Sequence, residues 1–244
     1  TPSAMELQRF FRQRKVAPCE VKDLLGDLLP DWKNEPKAAT RFLHALGRQP
    51  ELVRLAQTVL VSMQDFHIQV NVYHYGAAMA AYERLGSWPG ALDLLSSMWR
   101  TGIWPDLVTS NSAISACAKG EQWQLALVLL DDLTMAADRI SYNSAISACA
   151  AGSQWQKVFQ LLERMTFTKV LPDGISFNGA MAACSKVGRW QLSGFLLDDM
   201  AATRPKPSEF SFGTAIDSCS CHTDLWDVAL VMLEEAGEAK LKIN

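Results

Sequence analysis

The sequence predicts an all-α fold, an α-solenoid of stacked antiparallel helix pairs in units of about 35 residues. Three observations predict it. Tryptophan returns at Trp88, Trp123, Trp155, Trp190 and Trp226, in steps of 35, 32, 35 and 36. A second series, Met63, Met98, Leu133, Met165 and Met200, steps by 35, 35, 32 and 35. Both series share one three-residue shortening between Leu133 and Arg139, which two unrelated residue types would hardly share by chance. The third marker is Pro105-Asp106, Pro172-Asp173 and Pro207-Ser208, where proline disfavours helix in the residue before it and punctuates the chain.

These markers divide the chain into 37–71, 72–106, 107–138, 139–173, 174–208 and 209–244. The unit at 37–71 is degenerate, and 107–138 has lost its proline. Residues 1–36 read as a helical cap or a degenerate repeat. Within 139–173, Tyr142, Ala145, Ile146 and Cys149 line one face of a first helix, and Gly152 and Ser153 interrupt it. Val158, Leu161, Leu162 and Met165 repeat the spacing in a second helix. No segment alternates like a strand. Such units stack only on their sequence neighbours. The tryptophan opening each second helix is expected to bury itself between hairpins.

Composition sets bounds. With 49% hydrophobic and 20% charged residues the chain can bury a core. Its longest aliphatic run, Leu125 to Leu130, is far too short to cross a bilayer, so no membrane partner is expected. The first residue is Thr1, and any targeting segment is expected to lie outside the chain. Of the six cysteines, Cys117, Cys149, Cys184 and Cys219 recur every 32 or 35 residues. Evenly spaced single cysteines read as small buried residues in equivalent helices rather than a disulfide framework. The Cys219-Ser220-Cys221-His222 cluster is tighter than structural zinc spacings and lacks a second ligand pair, so no metal or cofactor is expected. The formal charge of -3 argues against gripping nucleic acid through bulk positive charge. Asp131, Asp132, Glu163, Asp198 and Asp199 fall on second helices.

The opposite side of the first helix also repeats. Val108, Asn111, Ser115 and Lys119 share a face; the same places hold Ile140, Asn143, Ser147 and Ala151, then Ile175, Asn178, Ala182 and Lys186. In 72–106 they hold Tyr73, Gly76, Ala80 and Arg84. Stacked units would set these faces side by side as a groove with apolar edges, an amide floor and a cationic rim. Apolar side chains can sandwich a flat ring, an amide offers donor and acceptor to a base edge, and Lys or Arg can meet a phosphate. That chemistry suits single-stranded nucleic acid. The asparagines could instead cap the helices, but Thr109, Ser141 and Ser176 are the better placed cap candidates.

With the units laid out, the sequence resembles the pentatricopeptide repeat family in its simple 35-residue (P-type) form. The strings Ile140-Ser-Tyr-Asn-Ser-Ala-Ile-Ser-Ala-Cys149 and Ile175-Ser-Phe-Asn-Gly-Ala-Met-Ala-Ala-Cys184 match its first helix, and Trp104-Pro-Asp106 and Leu171-Pro-Asp173 its unit ending. The resemblance implies a right-handed superhelix that reads single-stranded RNA at about one base per unit in a mitochondrion or plastid, alongside other RNA-processing proteins. It implies base reading by Asn143 with Asp173 and Asn111 with Asp138 (uracil), and by Asn178 with Ser208 (cytosine). Gly76 with Asp106, Gly213 with Asn244, and Arg41 with Asn71 leave their bases open, giving N-N-U-U-C-N. It implies base sandwiching by Tyr73, Val108, Ile140, Ile175 and Phe210, and phosphate contact by Arg84, Lys119 and Lys186; Ala151 departs from that pattern.

The competing class is a protein-binding scaffold using the same groove. Its best-known helical-repeat version has 34-residue units, and its Gly-Tyr first-helix pattern is missing. An enzyme is not expected: His44, His67, His74 and His222 share no register, and no phosphate loop or nucleophile-base pairing is evident.

Overall fold

The computed structural model describes Leu25 and residues 29–133, 136–203, 205–220 and 226–238. Among these residues the regular structure is helical. The chain divides into two compact bodies at Gly120 and Glu121. The first holds α1 (Leu29–Asn34), α2 (Pro36–Leu46), a 3-10 turn (Pro50–Leu52), α3 (Val53–Asp65), α4 (Val72–Leu85), α5 (Trp88–Arg100) and α6 (Leu107–Lys119). The second holds α7 (Trp123–Asp132), α8 (Arg139–Ala151), α9 (Trp155–Phe167), α10 (Gly174–Lys186), α11 (Trp190–Thr203), α12 (Glu209–Cys219) and α13 (Trp226–Glu238).

Two kinds of helix start alternate. The first helices α4, α6, α8, α10 and α12 are capped by Asn71, Asp106, Asp138, Asp173 and Ser208. Each cap is extended and accepts the backbone N–H three residues on, at distances from 2.8 Å at Asp106 to 3.3 Å at Ser208. This satisfies one of the amides a helix start leaves unpaired, and a carboxylate there also faces the positive end of the helix dipole. The second helices α5, α7, α9, α11 and α13 all begin on the periodic tryptophan.

The capping corrects one expectation. Thr109, Ser141 and Ser176 lie inside the first turn rather than at the cap. In most of these helices the inner hydroxyl accepts the capping residue's own N–H, as Ser141 Oγ does from Asp138 N at 3.1 Å. This reciprocal pair satisfies two donors where a lone Ser cap would satisfy one.

Packing follows the repeat within each body. In the first, α2, α4 and α6 lie side by side, with α3 against α2 and α4, and α5 against α4 and α6. In the second, α8, α10 and α12 form the row, α9 and α11 bridge successive members, and α7 and α13 cover α8 and α12. Most of the predicted core is core: Tyr142, Ala145, Ile146 and Cys149, with Val158, Leu161 and Met165, are buried, whereas Leu162 is only half-buried and faces an apolar groove instead. Each large member contributes about 1.5–3 kcal/mol through the water it sheds. Cys117, Cys149, Cys184 and Cys219 are free and buried at equivalent places. Burial pushes the thiols of Cys117, Cys149 and Cys184 up to about 11, so they stay protonated at neutral pH and behave as small apolar groups. Cys19, Cys221 and His222 lie outside the described residues.

The tryptophans find their seat on the following hairpin. A Cβ on Gly120 would come within 2.3 Å of the Trp88 ring, and one on Gly152 within 2.4 Å of Trp123, so glycine is needed for the indole to approach. The Arg189 guanidinium lies 5.3 Å over Trp155. The expectation that all five bury themselves needs correcting. The first four are half-buried, and Trp226 is 73% exposed. A ring covered by the next hairpin stays open where no next hairpin lies among the described residues. No described helix is long and apolar enough to cross a membrane.

Candidate functional site

The first-helix register is the same in α4, α6, α8, α10 and α12, whereas α2 begins one residue ahead of its unit and puts Arg41 at the sixth place. Counting from the first helical residue, the second place holds Tyr73, Val108, Ile140, Ile175 and Phe210. The fifth holds Gly76, Asn111, Asn143, Asn178 and Gly213, and the thirteenth holds Arg84, Lys119, Ala151 and Lys186. Steps of three and four residues keep these on one stripe. Since first helices pack side by side, the stripes are neighbours in each body: α4 with α6 in the first, and α8, α10 and α12 in the second.

All five second-place side chains are large, apolar and 62–77% exposed. Single exposed apolar residues are ordinary, but their return at one fixed place, in α4 and α6 of the first body and α8, α10 and α12 of the second, leaves surfaces that water solvates poorly.

Behind that row runs a polar chain linking successive hairpins. Asn143 Nδ2 donates to Asp173 Oδ1 at 3.1 Å, and Ser176 Oγ donates to Asn143 Oδ1 at 2.5 Å. Asp173 also accepts the backbone N–H groups of Ile175 and Ser176, each at 3.1 Å, and Arg139 Nη1 lies 3.8 Å from its Oδ2. Partial burial pushes the Asp173 carboxyl up, but the hydrogen bonds from Ser176, Asn143 and Ile175 outweigh it and hold it below the ordinary carboxylate range. One hairpin on, Ser211 Oγ donates to Asn178 Oδ1 at 2.8 Å, and the cap is the neutral Ser208.

The structure therefore brings Asn143 and Asp173 together directly. Asn111 is buried in the first body, and Asp138 caps α8 in the second. Gly76 and Gly213 offer no side chain; a Cβ on Gly76 would touch only the Thr109 methyl, at 3.7 Å, and one on Gly213 nothing within 4 Å. Asn244 lies outside the described residues. Asn71 caps α4 through His74, and Arg41 pairs with Glu35, so these two residues are engaged separately.

The cations are exposed but already employed. Lys119 Nζ donates to the Glu83 carbonyl and Lys186 Nζ to the Ala151 carbonyl, each at 3.1 Å. Each tethers the carbonyl end of the preceding first helix, where a positive charge is favourable. Arg84 Nε donates to the Ala80 carbonyl at 3.2 Å.

Sequence reasoning missed the hydroxyls of Ser176 and Ser211 as part of this chain of contacts. The available signal was the Asp/Ser-x-x-Ser spacing, which marks a capping box. It also missed an apolar groove of about 400 Å³ in the second body, lined by Phe159, Leu162, Leu171 and Phe195 with Glu163 and Asp199 at its edge. None of the register residues lines it.

Tandem helical hairpins, whose first helices α4, α6, α8, α10 and α12 each present one exposed apolar residue and one amide or glycine at fixed places, define a class of α-helical repeat protein. A family model described as "Pentatricopeptide repeat-containing protein" matches residues 39–165, more than half of the 244-residue chain, and the chain belongs to this family. It is 30% identical over 93 residues to "Pentatricopeptide repeat-containing protein 10, chloroplastic" of Zea mays, which is 38% of this chain but 12% of that protein. Among solved structures it is similar to the maize pentatricopeptide repeat protein PPR10, with a TM-score of 0.68 and 22% identity over 86% of this chain and 30% of that one. PPR10 in complex with an 18-nucleotide psaJ RNA element gives a TM-score of 0.53 at 21% identity, over 92% of this chain and 39% of that one. The pentatricopeptide repeat domain of Arabidopsis thaliana protein-only RNase P 1, in complex with tRNA, gives 0.59 at 13% identity, over 84% of this chain and all of that domain. At these identities the structural likenesses speak for the fold.

Proposed function

We propose that the chain binds single-stranded RNA along the outward stripes of its first helices, at about one base per hairpin. The carrying observation is the row of exposed apolar residues at one helical place, Tyr73 and Val108 in the first body and Ile140, Ile175 and Phe210 in the second. A base between two such side chains would cover surface now wasted on water, and the amide behind it would meet the base edge. The RNA-bound state of similar family members supports this reading. Asn143 with Asp173 and Asn111 with Asp138 are assigned to uracil and Asn178 with Ser208 to cytosine, with flanking bases open: N-N-U-U-C-N in chain order. The units 37–71, 72–106, 107–138, 139–173, 174–208 and 209–244 are the proposed reading frame. A role in RNA processing, stability or translation in a plastid or mitochondrion is proposed, and the chloroplastic relative supports an organelle.

Electrostatics temper the affinity. The net charge is -3, the Asp173 carboxylate sits close behind the Asn143 amide, and Lys119 and Lys186 are shared with helix carbonyls. A shallow salt dependence follows, because few counterions are released from the RNA. The test is selection from randomised single-stranded RNA at stated salt. Adjacent pyrimidines should be enriched, and Asn143→Ala should erase the preference at its own nucleotide. No enrichment, together with binding indifferent to Asn143→Ala, would sink the reading and favour a protein ligand.

A further inference from the structure

The amides of Asn143 and Asn178 are held by residues beyond their own hairpins. Ser176 Oγ accepts the Asp173 backbone N–H at 3.2 Å, so its single proton must go elsewhere. The nearest acceptor is Asn143 Oδ1 at 2.5 Å; Asp173 Oδ1 lies at 3.1 Å. Ser211 repeats the arrangement, accepting the Ser208 N–H at 3.1 Å and donating to Asn178 Oδ1 at 2.8 Å, with Ser208 Oγ, itself able to donate, at 3.0 Å. Both serines are fully buried, so water does not compete for these bonds.

We propose that the hydroxyl three residues into the following first helix, Ser176 for Asn143 and Ser211 for Asn178, fixes which way each amide faces and so completes the base selection of the preceding hairpin. This rests on the RNA-reading proposal above. With Oδ1 tied to the hydroxyl, the amide keeps N–H for the ligand, at Asn143 the one N–H not given to Asp173. A flipped amide would turn its oxygen outward and accept from a base amino group instead. The two sites differ in how firmly they are held. At Asn143 a flip would also set Oδ1 against the ionised Asp173 carboxylate, so two partners oppose it. At Asn178 the cap is neutral, and among the described residues the amide nitrogen has no protein partner. Orientation there rests on Ser211 alone. Ser176 and Ser211 are thus positioning residues, and Ser211 is the more critical.

The experiment uses the full chain and a set of single-stranded RNAs identical except at the nucleotide assigned to Asn178. Ser211→Ala should cut the ratio of affinities between the preferred base and the other three by about three- to tenfold. Selectivity at the nucleotide assigned to Asn143 should not change. Ser176→Ala should cause the smaller loss at its own nucleotide. Ser211→Thr keeps the hydroxyl and should keep the selectivity, since Thr109 already fits the equivalent place in α6. Ser211→Cys keeps the size with a weak donor; it should behave as Ser211→Ala and replaces it if Ala fails to fold. Unaltered base ratios in Ser211→Ala or Ser211→Cys, or an equal loss at every nucleotide, overturn the inference and leave RNA reading standing. A parent chain without base preference at this nucleotide overturns both.

Discussion

Ile140 and Ile146 stand six residues apart on α8 and meet opposite fates. Ile146 is 1% exposed, with Gly179 of the next first helix packed against it. Ile140 is 62% exposed and touches the solvent side of the stripe. The same side chain on the same helix is on one side part of the stack and on the other a surface kept apolar at no evident benefit to folding. Two constraints are therefore written on one helix, and they can be separated by measurement.

The largest effect is expected on the packed side. Ile146→Ala should destabilise the chain by about 2–5 kcal/mol in urea unfolding, through lost burial and the cavity left behind. The seam tests the same side by overfilling. Gly152→Ala should cost about 1–3 kcal/mol because the new methyl meets Trp123, whereas Gly213→Ala, with open space around it, should cost far less. On the exposed side the readout changes. Ile140→Ala should move stability by less than about 0.5 kcal/mol while weakening RNA binding by about 1–2 kcal/mol. Equal loss in both assays would erase the distinction between the two sides.

The cap joins the two sides, and pH probes it. The Asp173 carboxyl is held below its ordinary range, so its contribution is present above the unfolded value and is lost as pH falls through the folded one. Asp173→Asn keeps a good cap without the charge. Its stability deficit should be greatest near neutral pH and vanish in acid; a deficit that grows in acid would contradict the sign. The smallest effect is expected at Lys186. Because its ammonium is shared with the Ala151 carbonyl, Lys186→Met should weaken binding to all RNAs alike and reduce the salt slope by no more than about one.

Much of this arrangement can be read from spacing. The tryptophan and methionine steps give the helix pairs, and the Asn residues fall at one place because the period carries them there. What escaped was decided by neighbours rather than by period. Trp226 matches Trp123 in register, but spacing does not say whether a following hairpin is there to cover it. The serines were readable as helix-start residues, yet their bonds to Asn143 and Asn178 span 33 residues of chain and two helices. Asp173 and Ser208 were placed as reading residues without their capping role, which depends on the extended backbone before each helix. Lys119 and Lys186 looked like free charges because their carbonyl partners belong to the preceding first helix, about 35 residues back.

The bond between Ser176 and Asn143 has a practical meaning for anyone wishing to splice such chains. A cassette cut after Asp173 would carry Asn143 and Asp173 into their new home and leave the Ser176 hydroxyl behind, so the grafted amide would depend for its second partner on whatever residue the host supplies. The smallest piece that carries both partners runs from before Ile140 through Ser176, overlapping the next cassette by several residues, and designs that respect that overlap should hold their base preference more firmly than cuts at the sequence period.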